Sequence, residues 1–167
     1  MKTCGRGAEI FATALGVVAM ACGAANILVW AGLYDGIEIG ILAIGGTDFF
    51  RWVWGSLVVA FGGVMMLSGA RNMHTVSSYG KVLLGTVMVW IVAVTDILAL
   101  ICESIPAGDE PQFFNSAAGF IGAFAPPYPP AVVLLPFTLA IACFLYAGRG
   151  LTKADEETGQ AGDANHF

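Results

Sequence analysis

KVLLGTVMVWIVAVTDILALIC, residues 81–102, is apolar for almost its whole length and carries a single acid, Asp96. A stretch of about 20 apolar residues matches the thickness of a bilayer's hydrocarbon core, because an α-helix rises about 1.5 Å per residue. Three more such stretches follow from the same reading: residues 9–33, 52–70 and 130–147. Strand-like alternation of apolar and polar residues is absent from all four. In lipid the backbone has to satisfy its own hydrogen bonds, so these stretches predict helices. The expected fold is all-α: a polytopic membrane protein with a bundle of four transmembrane helices.

Composition agrees. Of 167 residues, 57% are hydrophobic and only 11% charged, whereas soluble domains carry about 25% charged residues. Residues 1–150 then form one transmembrane domain, and the polar, acidic residues 151–167 form a cytoplasmic tail too poor in apolar side chains to fold. The length of the first stretch exceeds the 7–15 apolar residues or so of a secretory leader, which argues against cleavage there. A net charge of −5 with scattered basic residues argues against nucleic acid as a partner.

The basic residues predict the threading. Lys2, Arg6, Arg71, Lys81, Arg149 and Lys153 fall on one side of the four spans, and Arg51 alone falls on the other. By the positive-inside tendency both termini are cytoplasmic. Trp30, Tyr34, Trp52, Trp54 and Tyr128 then mark the outer interface, and Tyr79 and Tyr146 the inner one. This topology is similar to that of tetraspan families such as claudins and MARVEL-domain proteins. The extracellular cysteine pair and tryptophan signature of claudins are missing, so no function is carried over from them.

Between the first two spans, GIEIGILAIGG (residues 36–46) predicts a short hairpin or a segment lying on the membrane surface. In the longer second outer connection, residues 117–124 are too few to span and suggest an interfacial segment. Pro136 is expected to kink the last span. Glu9, placed at the start of the first span, is expected to complement the positive end of a helix dipole.

Two patterns bear on function. Gly16 and Gly23 in the first span, and Gly55, Gly62 and Gly69 at seven-residue intervals in the second, give each helix a face of small residues. Such faces let helix backbones approach closely, where dispersion replaces the hydrophobic drive that lipid cannot provide. They serve either packing within the bundle or a seam with a partner. The second pattern is polar. An ionised acid at the bilayer centre costs about 2.5–3.5 kcal/mol on insertion scales, less towards the interface. Asp96 therefore pairs with Arg51, or hydrogen-bonds Asn26, or serves as a proton or cation site with Asn26 and Thr95 beside it. Trp90, in mid-stretch, reads as a packing residue.

Enzyme templates fail. The sequence has no nucleophile elbow, no phosphate-cradling glycine loop, and no Cys or His spacing suited to zinc. No catalytic residue, metal site or cofactor is expected. The leading expectation is a non-catalytic accessory or structural subunit of a membrane complex, with the lipid bilayer and either a membrane-protein partner or further copies of itself as contacts. The alternative is a small transporter or ion-conducting protein with Asp96 as its coupling acid.

Overall fold

A computed structural model describes residues 2–46, 48–71, 73, 75–103, 105, 121, 122 and 124–144. The tail, most of residues 117–124, and Tyr146, Arg149 and Lys153 lie outside the described residues. The chain is mostly helical. Helix α1 spans Lys2–Trp30, α2 Gly55–Ala70 and α3 Val76–Glu103. A π-helical turn, Phe50–Trp54, leads directly into α2. A shorter apolar helix, α4, covers Pro130–Phe144. Three helical stretches are long and apolar enough to cross a membrane: Arg6–Trp30, Phe50–Ala70 and Val76–Cys102. Helix α1 starts earlier than the hydropathy of residues 9–33 suggests, because residues 2–8 contain no proline to stop it. Glu9 therefore lies about two turns inside the helix rather than in its first turn, and its carbonyl accepts the Thr13 hydroxyl at 2.7 Å.

One cluster of buried apolar side chains joins all four helices. It includes Ala12, Leu15 and Ala19 from α1, Val59 and Met66 from α2, Val82, Val89 and Ala93 from α3, and Ala131, Leu134 and Ile141 from α4. Helix α2 is central, packing extensively on both α1 and α3.

The glycines explain how closely. A Cβ on Gly23 would lie 2.6 Å from the Ser56 carbonyl, and one on Gly16 would lie 2.9 Å from the Gly63 carbonyl. On the other side of α2, a Cβ on Gly62 would lie 2.9 Å from the Gly85 carbonyl, and one on Gly55 3.2 Å from Val92 Cγ1. Gly69 is pressed equally tightly against Ser78 and Val82. All five glycines singled out by spacing thus face helices of the same chain. Two partners, Gly63 and Gly85, complete these seams from the opposite helix.

The connection between α1 and α2 is a hairpin of β1 (Ile37–Ile39) and β2 (Leu42–Ile44), antiparallel, with Ile37 opposite Ile44 and Ile39 opposite Leu42. Its two-residue turn places Gly40 first, at φ +59°, which is the glycine-first arrangement that suits strand twist in tight hairpins. On its other edge β2 meets Tyr128: the Ala43 N–H donates to the Tyr128 carbonyl at 2.9 Å, and the Tyr128 N–H donates to the Ile41 carbonyl at 2.7 Å. The segment just before α4 is thereby stitched to the hairpin.

Candidate polar site at the hairpin end of the helices

The site is assembled at the junction of α1, α2, α3 and α4. Asp48 starts it. Its carboxylate accepts the Phe50 N–H at 2.9 Å and the Arg51 N–H at 3.4 Å, satisfying two of the amide groups left over at a helix start. That cap fixes the first turn, and the turn is π-helical: the Gly55 N–H reaches back five residues to the Phe50 carbonyl. π-turns are rare, and the extra residue re-aims the side chains they carry. Here Arg51, half-buried, is directed inward, and its guanidinium also lies over the Trp52 ring, 5.8 Å from the centroid.

Asp96 meets it from α3. Arg51 Nε and Asp96 Oδ1 are 3.6 Å apart, with 18% and 6% of the two side chains exposed. That distance is an ion pair and is too long for a hydrogen bond. Asp96 stands seven residues before the end of α3, so the pair lies about 10 Å along the helix from that end. It shares a helix face with Val89 and Ala93, both fully buried. A cation in the first turn faces the positive end of the α2 dipole. The Asp96 charge offsets that repulsion as well as the loss of water.

Asn26 approaches from α1. It is 3% exposed, and its Oδ1 accepts the Gly45 N–H at 2.9 Å, so it fastens the end of β2 to the last turn of α1. Asn26 and Asp96 line one small crevice together with Arg51, Trp52, Ser56, Pro129 and Pro130. The space left for the centre of a water molecule is about 10 Å³, room for about one water. Thr95 stands apart: it is exposed, and its hydroxyl donates to the Val92 carbonyl at 2.7 Å.

The structure therefore brings Arg51, Asp96 and Asn26 to one place and leaves Thr95 out of it. Of the two partners open to Asp96, the contact made is with Arg51, while the Asn26 oxygen is engaged with the hairpin. Sequence reasoning missed Ser56, 4% exposed, along with Pro129 and Pro130. It assigned Trp52 to an interface rather than to the crevice. Asp48, three residues ahead of Arg51, was the legible signal of a helix cap.

A second polar joint links α3 to α4. The Trp90 indole N–H donates to Thr138 Oγ1 at 2.9 Å, and the Thr138 hydroxyl donates to the Leu135 carbonyl at 2.8 Å. Among the described residues no group of three or more His, Cys, Asp or Glu side chains is arranged to hold a metal. Comparison with protein-family models, curated proteins and solved structures finds no match to this chain.

Proposed function

We propose that this chain is a multi-pass membrane protein with four spans and cytoplasmic termini, acting as a non-catalytic accessory or structural subunit of a membrane complex. The three long apolar helices support the membrane assignment. The apolar stretch 130–147 of the sequence, of which α4 covers Pro130–Phe144, is read as the fourth span. The basic residues supply the orientation.

The observation that carries the role is the Arg51–Asp96 pair in a crevice with space for about one water. The buried acid is matched by a cation from the neighbouring helix, so it serves as a tie between α2 and α3. The small-residue faces are turned on helices of the same chain. A partner would then meet the bulkier outward faces, where Phe61, Phe137 and Phe144 are exposed. Extraction in mild detergent followed by native mass measurement tests this role. The expected result is a defined assembly, with other subunits or with copies of the chain. A clean monomer carrying no other protein counts against it.

One observation favours the second reading, a small transporter or ion conductor. The π-helical turn sits directly beside the crevice, and such turns recur at functional sites. Flux into liposomes, compared between the wild type and Asp96→Asn, separates the two. Flux that disappears in the variant supports transport, whereas no flux, or equal flux in both, removes Asp96 from any such mechanism.

A further inference from the structure

We infer that the β1–β2 hairpin is a lipid-surface anchor, its aliphatic face bedded at the headgroup–acyl boundary of the leaflet around the ends of α1 and α2. This rests on the membrane-spanning reading given above and adds a specific occupant for a surface that reading leaves unassigned.

The register makes the hairpin two-faced. Ile37 pairs with Ile44 and Ile39 with Leu42, so these four aliphatic side chains share one face, while Glu38 and Ala43 share the other. Ile39 is 64% exposed and Ile41, at the turn, 57%. An isolated two-stranded hairpin is marginal in water, and one presenting isoleucines to water is worse off still.

Its depth is set by its tethers. The residue following β2, Gly45, is bonded to Asn26, four residues before the end of α1, which places that joint about 6 Å below the helix end. β2 packs against α1, and the backbone bonds to Tyr128 hold the other edge. The hairpin is therefore fastened beside the last turn of an apolar helix and is not free to rise into solvent.

The surroundings match that depth. Trp30, Tyr34, Phe49, Phe50 and Trp54 are all exposed near the hairpin's two ends. The Trp30, Phe49 and Phe50 rings form an edge-to-face chain with centroids 5.7 Å apart at each step. Tryptophan and tyrosine favour the membrane–water interface. Residues 31–46 contain no lysine or arginine, so the attraction is apolar rather than a matter of headgroup charge.

The test places a nitroxide at Ile39→Cys, Glu38→Cys or Ile91→Cys, in a chain whose native cysteines are replaced by alanine. The protein is reconstituted in phosphatidylcholine–phosphatidylglycerol vesicles, and collision with oxygen is compared with collision with a water-soluble nickel complex. Ile91, exposed in the middle of α3, is the control. The labels at Ile91 and Ile39 are expected to favour oxygen and the label at Glu38 nickel, with a several-fold difference between the two hairpin sites. Nickel preference at Ile91 sinks the membrane-spanning reading itself. Oxygen preference at Ile91 with nickel preference at Ile39 overturns the anchor alone. So does equal behaviour at Glu38 and Ile39, or shielding of Ile39 from both reagents, which would mean a protein covers the face. The unmodified chain gives a second readout that no substitution can spoil: photocrosslinking to a diazirine-acyl phosphatidylcholine. Adducts are expected in residues 37–46 as well as in α3, and adducts confined to the helices overturn the anchor.

Discussion

The α1–α2–α3 contacts and the α3–α4 contact join helices by opposite means. Where α2 meets its neighbours, glycine faces glycine: Gly16 against Gly63, and Gly62 against Gly85, each near the other's carbonyl. Where α3 meets α4, a large side chain crosses the gap and hydrogen-bonds, Trp90 to Thr138. The first kind of joint gains dispersion along its length and tolerates no added atom. The second kind is a point contact that can lose its hydrogen bond and keep its packing. The Arg51–Asp96 pair belongs to both, being a polar tie set at the end of a glycine seam. The lesson is that sensitivity to substitution should follow joint type more closely than burial.

The largest effect is expected from Gly23→Leu. Its Cβ would fall 2.6 Å from the Ser56 carbonyl, a backbone atom that cannot step aside. A loss of about 3 kcal/mol or more, at the upper end for overpacking, should appear as unfolding at much lower denaturing-detergent content. If Gly23→Leu unfolds like the wild type, the distinction between the two joints is lost. Asp96→Leu comes next. It removes the carboxylate that faces the mostly buried Arg51 guanidinium, and removal of one partner of such a pair costs about 3 kcal/mol. The double variant Arg51→Met with Asp96→Leu should recover most of that loss in the same titration. No recovery would mean that the pair is more than a tie. Trp90→Phe tests the point contact, with an expected loss of about 0.6 kcal/mol, and at most about 1.7 kcal/mol, the range for hydrogen bonds between membrane helices. A loss as large as that of Gly23→Leu would erase the contrast. Gly80→Ala is the one change expected to cost nothing, since nothing lies within 4 Å of the added carbon. In a helix it should be neutral or gain up to about 1 kcal/mol, and a clear loss would show a contact on the open face of α3.

Much of this arrangement is legible in the residues themselves. Apolar runs with few charges identify the three long helices, because length and hydropathy are local properties. The seven-residue spacing of Gly55, Gly62 and Gly69 marks one face of α2, and that is the face α3 covers. Gly63, one residue from that series, faces α1 instead, and no spacing rule separates the two duties of adjacent glycines. The pairing of Arg51 with Asp96 was one of three options, since a lone acid and a lone base near the same ends attract in any bundle that brings them together. Ser56 and Trp52 gave no warning, because a hydroxyl and an indole at the start of a span are ordinary interface residues. The bridge from Leu42 to Tyr128 was invisible for a different reason. It joins residues far apart in the chain, and pairing at such separation leaves no periodic trace.

Because α2 carries close-fitting surfaces for both the helix before it and the helix after it, each long segment finds its mate next door in the chain. The α1–α2 unit can therefore be complete as soon as the second segment has been synthesised, and α3 can dock on a surface already waiting. Tyr128, which locks the hairpin, arrives only after α3 has been synthesised. The hairpin would then be locked late in biosynthesis, beside helices that have already mated.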